Sequence, residues 1–524
     1  MTNFEWKEDS IFPTFKNAEE TLDRISSEKV RNPHMLLALS ALQGIINKKQ
    51  PRFVITDSHA GEGEDLWLNE AGYTLSDTDP VNVFREYAGE IKGLTVYSDK
   101  RSRHFRNLAA SMAAISDTIP ASPEIVHFLR ENGLDFPTIN DICDLKLYNG
   151  IDIYGYLYEN VWKECSHRIL FSLNPVNAFQ MRDLAAATGS ATVWLDCRNN
   201  PLEKEVYERF LSDMEAGKSI CTGWYTEERS GITTATKYGL STVPSDYFIA
   251  PTLLANGKEV TVRKEPAFRK AENKIYAALF VSDGDNIQYC QHYMRQYWDK
   301  NKESRGKSAI NWTISPALSE IAPDIMNYYY RTASEKDCFV SGPSGMGYAM
   351  PFNTLDEDIP AGNYVKNDED FGKYAALSNR YFEKCGLRVA TIWDNPTENQ
   401  RNLYAESTPY LYGQTVQLFT DDNEKITSVN RGKIFKQFTP CYCTTVEHLS
   451  RVLRREIDKW DGKEPLFIAS QISVWGKITL GDIANLEEKL KEKAGGRFEF
   501  VRADEFFKTY SELIEKKHNQ AAER

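Results

Sequence analysis

The sequence lacks the features of membrane proteins, disulfide-rich secreted proteins and nucleic-acid-binding proteins. It contains no apolar run of 18 residues, which a membrane-spanning helix would need. Its nine cysteines are scattered, and the nearest pair, Cys441 and Cys443, has the spacing of neither a zinc knuckle nor a redox motif. The net charge of −12 comes without the concentration of Lys and Arg that a phosphate backbone requires. We therefore expect no membrane, no nucleic-acid partner, and cysteines that remain reduced.

Three catalytic patterns are missing as well. No Gly-x-Gly-x-x-Gly opens a helix after a first strand, which disfavours an open dinucleotide-binding sheet. No Gly-x-Ser-x-Gly occurs, so a serine nucleophile has little support. The eight histidines are dispersed and none are paired as His-x-x-x-His, so no zinc or cobalt site is visible. We expect no cofactor and no metal, and a hard cation held by carboxylates alone stays open as an alternative.

The N-terminal segment gives an expectation about localisation. Its first nine residues, Met-Thr-Asn-Phe-Glu-Trp-Lys-Glu-Asp, contain no apolar stretch of the kind found in signal peptides. This favours a cytoplasmic protein. A secreted protein whose leader had been removed would have the same sequence, so secretion stays open.

What the chain does contain is typical of a soluble α/β protein. Hydrophobic residues make up 41% and charged residues 26%, which suits a globular chain. A length of 524 residues predicts roughly three domains. The first half alternates helical segments, as at 33–47, with short buried strands, as at 52–56. We expect an N-terminal α/β subdomain at 1–145, a second α/β subdomain at 146–262, and a C-terminal domain at 263–515.

The C-terminal part has the pattern of a (β/α)-barrel. Short apolar segments recur there, and most are separated by stretches long enough for a helix. The fold class we expect is α/β, with a C-terminal (β/α)-barrel-like domain preceded by smaller α/β subdomains. The predicted strand segments are 274–281, 310–314, 337–340, 387–393, 415–419, 433–438, 465–470 and 497–501.

Polar side chains follow several of these predicted strands. Asp283, Asp285 and Asn286 come directly after the first, and Asp394 follows the fourth. The carboxyl ends of barrel strands meet at one rim, so these groups are expected to lie together. Cleavage of a glycosidic bond needs one carboxyl to protonate the leaving oxygen and a second, ionised carboxylate. We expect the three aspartates to be catalytic, with Asn286 orienting a sugar. The alternative is a purely structural role, in which Asp283 caps the following helix.

Further rim residues are candidates for substrate contact. The segment from Val340 to Pro351 crowds three glycines and two prolines after the third strand, which suits close approach of backbone to a ligand. Within it Gly345, Gly347 and Tyr348 are expected to bind substrate. Aromatic rings and amides at other predicted strands join them, namely Trp312, Trp393 and Gln471.

The string Gly-Met-Gly-Tyr-Ala-Met-Pro at Gly345–Pro351 resembles the signature of the GxGYxYP family of putative glycoside hydrolases. One position departs, because Met350 stands where the signature has its second tyrosine. The resemblance covers most of the chain, and implies N-terminal subdomains before a C-terminal one. The other segments that are similar to the family pattern are Ala41–Gly44 with Asn47, Lys237–Gly239, Pro244–Asp246, Val281–Asn286 and Asp504–Phe507.

The resemblance and the paired carboxylates together favour a glycoside hydrolase of carbohydrate metabolism, of the kind used in bacterial polysaccharide utilisation. Its substrate would be an oligo- or polysaccharide. Two alternatives stay open: a carbohydrate-binding protein without activity, and a metal-dependent hydrolase similar to polysaccharide deacetylases. The sugar, the linkage, the stereochemical outcome and the oligomeric state are left open by the sequence.

Overall fold

The computed structural model describes residues 6–267, 269–352, 368–417 and 427–522, with side chains up to 517. The chain divides into two compact units. The first contains the residues up to Glu259 together with two short later segments, 291–293 and 317–326. The second contains the other residues from Val260 onward. No helix in the described ranges combines the length and the apolar character needed to cross a bilayer.

The first unit is built on three parallel sheets. Its strands are β1 Thr21–Ser26, β2 Phe53–Thr56, β3 Thr74–Asp77, β4 Leu94–Val96, β5 Ile119–Ala121, β6 Thr138–Asp141, β7 Ser166–Ser172, β8 Ser190–Val193, β9 Ile220–Gly223 and β10 Thr242–Pro244. The strand orders are β2-β1-β3, β5-β4-β6 and β10-β9-β7-β8. Two separate sheets therefore lie within the predicted subdomain 1–145.

Helices connect these parallel strands. They are α1 Pro33–Asn47, α2 Leu66–Glu70, α3 Pro80–Glu86, α4 Phe105–Ser116, α5 Pro123–Glu131, α6 Gly150–Asn160, α7 Arg182–Thr188, α8 Pro201–Ser212, α9 Glu228–Thr236 and α10 Pro251–Leu254. The helix predicted at 33–47 matches α1. It begins there because Asn32 accepts hydrogen bonds from the amides of His34 and Met35 and Pro33 occupies the first helical position.

The rest of the chain adds nine described strands and nine described helices. The strands are β11 Ile275–Val281, β12 Ile310–Ile314, β13 Asp337–Ser341, β14 Val389–Ile392, β15 Gly413–Val416, β16 Thr427–Asn430, β17 Lys433–Gln437, β18 Leu466–Ile472 and β19 Phe498–Phe500. The helices are α11 Ile287–Gln291, α12 Tyr293–Lys300, α13 Leu318–Ile321, α14 Pro323–Thr332, α15 Asp368–Cys385, α16 Glu398–Ser407, α17 Val446–Lys459, α18 Leu480–Lys493 and α19 Ala503–Ala522. Each predicted strand segment of this region coincides with one of these strands, except that 418–419 lie outside the described residues.

These nine strands form one sheet in the order β16-β17-β15-β14-β13-β12-β11-β18, with β19 also paired to β11. All pairs are parallel except β16 with β17. The sheet curls, because the residues after β17 return to β18: the amide of Thr439 donates to the carbonyl of Ala469 at 2.6 Å, and the amide of Cys443 to that of Gln471 at 2.8 Å. The fold is thus mixed α/β, with a curled half-barrel sheet in this region.

The two faces of the curled sheet are covered differently. Ile392, Val416 and Phe435 pack against α15 and α16 on one face. On the other face, apolar side chains of the strands pack against Phe506 and Phe507 of α19. Side chains alternate between faces along a strand, so the residues next to Ile392 and Val416, which are Trp393 and Gln417, lie on the α19 face. We call this the inner face. Its apolar part is at the start of the strands and its polar part at their carboxyl ends.

Candidate active site

Asp283 lies on a tight turn at the carboxyl end of β11. Its φ of +71° is in the left-handed region that few non-glycine residues adopt. The turn is fixed against β12, because the Gly284 amide donates to Oγ1 of Thr313 at 2.9 Å and that hydroxyl donates to the carbonyl of Val281 at 2.6 Å. Gly284 is required there, since a Cβ at this position would lie 2.5 Å from the backbone nitrogen of Ile314. The strained residue at the strand end is therefore held by its neighbours.

The carboxylate of Asp283 is surrounded by hydrogen-bond donors. The Ser282 hydroxyl donates to Oδ2, the Tyr442 hydroxyl donates to the same oxygen at 3.2 Å, and the Trp475 side chain donates to the carboxylate as well. Burial raises the pKa of Asp283, and these three donors lower it in part. Burial is the largest cause, so Asp283 keeps its proton to higher pH than an aspartate in water.

Two of these partners, Tyr442 and Trp475, were missed by the sequence analysis. Tyr442 has a φ of +49° in the segment that returns from β17 to β18, and Trp475 follows the end of β18. Neither belongs to a periodic pattern. For Trp475 the sequence did contain one signal of a place in the site, because Trp475 follows Gln471, at the end of a predicted strand, by four residues.

Aromatic rings continue from Tyr442 along the carboxyl ends of the strands. The rings of Trp393 and Tyr442 meet edge to face, with 5.2 Å between centroids and 86° between planes. Tyr348 meets Trp393 in the same way at 6.3 Å and 78°. The structure thus brings two predicted substrate-binding residues, Tyr348 and Trp393, into one group with Asp283.

Asn286 and Asp285 complete the turn in different ways. Oδ1 of Asn286 accepts from the amide of Tyr289 at 3.2 Å, so the helix-capping role considered for Asp283 belongs to Asn286. Asp285 is buried, and it lies close to Cys290. Burial, with a contribution from the charge of Asp285, raises the pKa of Cys290 to about 12.

Asp394 organises the loop that follows β14. It is fully buried, and its carboxylate accepts from the amide of Phe352 and, at 2.8 Å, from the amide of Asn395. Its carbonyl accepts from the amide of Gln417 at 3.1 Å. The carboxylate was expected to face Asp283 across a cleft, and the structure shows it holding backbone amides.

Trp312 is placed in the core and not at the rim. It is completely buried in the middle of β12, its indole N–H donates to Asp337 at 2.8 Å, and its ring packs edge to face against Trp298 of α12. The expectation of substrate contact is corrected, because Thr313 points to β11 and alternation along the strand turns Trp312 to the helix layer. The strand reads Ile-Asn-Trp-Thr-Ile, and this alternation places Trp312 on the face opposite Asn311 and Thr313, a signal that the sequence analysis did not use.

The glycine-rich loop approaches a helix. A Cβ on Gly345 would lie 2.8 Å from the hydroxyl oxygen of Tyr374 on α15. The carbonyl of Gly347 accepts from the same hydroxyl at 2.9 Å, and the amide of Met346 donates to Ser378 at 3.0 Å. The close approach that Gly345 permits is therefore to α15, and contact of this glycine with a ligand stays a prediction.

Gln471 lies on the inner face beside Gln417. Nε2 of Gln417 donates to Oε1 of Gln471 at 2.8 Å. Within the described residues, Nε2 of Gln471, Oε1 of Gln417 and Nε1 of Trp393 have no hydrogen-bond partner although all three atoms are buried. Such atoms cost free energy in a folded protein, about 1–3 kcal/mol each, and they concentrate at functional sites.

Two other features of the described residues lie outside this group. A cavity of about 1060 Å³ is lined by residues that include Arg263, Lys274 and Arg497. Lys274 precedes β11 and Asp283 follows it, so the cavity and the candidate site are at opposite ends of the strand. No group of three or more His, Cys, Asp or Glu residues suited to a metal ion occurs in the part of the chain that is described.

Three family models match the chain between residues 91 and 511. They are described as "GxGYxYP_N second domain" at 91–166, "GxGYxYP third domain" at 167–256, and "GxGYxYP putative glycoside hydrolase C-terminal domain" at 273–511. No curated protein matches the sequence.

The fold of the chain is similar to that of a solved structure. That structure is described as a putative hydrolase from Bacteroides thetaiotaomicron VPI-5482. It is 20% identical, the alignment covers 97% of this chain and 99% of that chain, and the TM-score is 0.78. This likeness shows a shared fold. A second solved structure, described as a putative UDP-N-acetylglucosamine 2-epimerase from Listeria monocytogenes, is 9% identical over 95% of each chain, and its TM-score of 0.14 carries no argument.

Proposed function

Because this chain belongs to the GxGYxYP family, we propose that it is a glycoside hydrolase that cleaves an oligo- or polysaccharide with Asp283 as its general acid. The domain that carries the reaction is the C-terminal one, whose curled sheet we assign to the (β/α)-barrel-like class. The role of the protein would then be in carbohydrate metabolism.

The observation that supports this proposal is the environment of the Asp283 carboxyl. It lies at the carboxyl end of β11, contacts Tyr442 and Trp475, and has a pKa that burial raises above the ordinary value. A general acid must hold a proton at the working pH and deliver it to the glycosidic oxygen. An apolar setting that raises the pKa of one carboxyl is the usual means of achieving this in glycosidases.

The reaction also needs a second, ionised carboxylate. Asp285 is one candidate because it belongs to the same turn, and Asp394 is the other. The Asp394 carboxylate accepts a hydrogen bond from a backbone amide of the loop after β14. Tyr348, Trp393 and Gln471 are retained as substrate-binding residues, and Gly347 and Asn286 as residues that shape the turns beside them.

The test is turnover of a panel of glycans by single Asp-to-Asn variants. We expect Asp283→Asn to lose about 100-fold or more in kcat, since general acid catalysis contributes about 10²- to 10⁴-fold. Asp285→Asn and Asp394→Asn identify the second carboxylate. The control is Asp135→Asn, whose side chain is 87% exposed in the first unit, and it should leave turnover unchanged. Full turnover by Asp283→Asn would refute the proposal.

One observation favours the alternative of a carbohydrate-binding protein without activity. The hydrogen-bond donors that surround the Asp283 carboxylate are two hydroxyls and an indole, and none of them is a carboxyl. Under this alternative the wild-type protein binds glycans and cleaves none, and Asp283→Asn changes affinity only. A deacetylase-like hydrolase would instead lose its activity on treatment with a chelator and regain it with a divalent metal.

A further inference from the structure

Trp475 is the one exposed tryptophan of the chain. All ten tryptophans lie among the described residues, and nine of them are buried or half-buried. The side chain of Trp475 is 56% exposed. Tryptophan is enriched at binding interfaces, because its ring packs against apolar surface while its N–H makes a hydrogen bond.

The turn that carries Trp475 is nonetheless firmly held. The amide of Val474 donates to the Ser282 hydroxyl at 3.3 Å, and the amide of Ser473 donates to the carbonyl of Cys443 at 2.8 Å. Gly476 packs so closely that a Cβ there would lie 2.6 Å from the carbonyl oxygen of Thr444. An exposed ring on a fixed turn loses little conformational entropy when a ligand covers it.

The same ring is tied to the candidate acid. The indole side chain hydrogen-bonds to the Asp283 carboxylate, and the ring meets Tyr289 edge to face at 6.0 Å and 67°. The only donor of an indole is its Nε1–H, so this edge of the ring is directed to Asp283. A ligand that covers the exposed part of Trp475 is thereby placed beside the carboxyl that would protonate it.

A sugar ring has the chemistry to occupy this position. A pyranose presents a face of C–H groups that packs on an aromatic ring, and hydroxyls around its edge that hydrogen-bond. We propose that Trp475 is the stacking platform of the subsite adjoining Asp283 and that this subsite takes a pyranose ring. The proposal rests on the function proposed above, and it adds the substrate class and a positioning residue.

The experiment measures binding in the Asp283→Asn background, so that no ligand is consumed. Calorimetry would compare three variants in that background, Trp475→Ala, Trp475→Phe and the control Tyr148→Ala, with neutral gluco-, galacto-, manno- and xylo-oligosaccharides and with oligogalacturonate. Tyr148 is 61% exposed in the first unit. We expect Trp475→Ala to weaken binding of a neutral glycan about tenfold or more, Trp475→Phe to retain most of the affinity, and Tyr148→Ala to change nothing.

Two results would overturn the inference: equal affinity in Trp475→Ala, or no binding of any glycan. Failure of the proposed function has a different signature, because the wild-type protein would then cleave no glycan, or Asp283→Asn would keep full turnover, while Trp475→Ala would still weaken binding. Thermal melting by circular dichroism checks folding. Since Trp475 is exposed, its variants should melt within a few degrees of the Asp283→Asn protein. If Trp475→Ala is unfolded, the binding comparison is made with Trp475→Phe.

Discussion

Adding one methyl group to Gly284 should disrupt the turn that carries Asp283. A Cβ at Gly284 would lie 2.5 Å from the amide nitrogen of Ile314 and closer still to the Thr313 carbonyl, whereas ordinary contact begins at about 3.4 Å. The overlap is therefore about 0.9 Å or more. The obstructing atoms are backbone of β12, which is hydrogen-bonded to strands on both sides and cannot rotate away.

The loss of stability expected for Gly284→Ala follows from this overlap. Overpacking against side chains costs about 1–3 kcal/mol, and rigid backbone should bring Gly284→Ala to about 3 kcal/mol or more. In a unit of about 250 residues, 1 kcal/mol shifts the melting temperature by about 2–4 °C, so the variant should melt about 6–12 °C lower. A displacement of about 1 Å at Asp283 would also lower turnover about 100-fold.

Gly372→Ala is the matched control for thermal melting by circular dichroism. Gly372 lies within α15, and a Cβ there would meet no atom within 4 Å. Alanine is favoured over glycine in a helix by about 0.5–1 kcal/mol, so this variant should melt slightly higher than wild type. The reasoning fails if Gly284→Ala melts with the wild type, or if both variants are destabilised equally.

Three further predictions concern stability. Burial raises the pKa of Asp283, so the folded state holds a proton that the unfolded state releases, and the free energy of unfolding falls as pH rises from about 3.8 to the folded pKa. Asp283→Asn should remove that fall and unfold at higher urea than wild type at pH 7; equal or lower stability contradicts it. Gln417→Leu combined with Gln471→Leu removes two buried unpartnered atoms and should stabilise. Gln471→Leu alone breaks the hydrogen bond between the two amides, leaves both polar atoms of Gln417 unpartnered and should not stabilise. A double-mutant cycle in urea without coupling argues against this. Asp394→Ala leaves two amides without their acceptor and should cost about 2–6 kcal/mol, and Asp394→Asn should cost less; equal midpoints in urea would rule out the loop-holding role.

The elements of the fold were predictable where their signal is local. The apolar spacing at 33–47 and the preceding Asn32-Pro33 specify a helix start without reference to the rest of the chain. The strand at 310–314 was found for the same reason, because a short apolar run between turn residues is a local feature. Pairing between distant strands carries no such signal. The sequence therefore could not show that β19 pairs with β11, or that the residues after β17 return to β18.

The candidate site was predictable in part for a related reason. Asp283 was found because a strand end and an acidic turn adjoin in the sequence. The face on which Trp312 lies was open to prediction as well, because the strand alternates apolar and polar residues and so places Trp312 opposite Asn311 and Thr313. Tyr442 and Trp475 reach Asp283 across about 160 and 190 residues of chain, and only tertiary structure brings such residues together.

The position of β19 has a consequence for biosynthesis. One edge of β11 pairs with β18. The other edge pairs with β19 at residues 275–277 and with β12 at residues 280–281. The early strand is thus completed by segments translated roughly 190 and 220 residues later, which makes for slow, non-local folding. Until β19 has been translated, the start of β11 keeps an open edge that can pair with other chains. A premature stop before Phe498 should leave that edge open permanently, and the shortened product should aggregate although every residue from Asp283 to Trp475 is present.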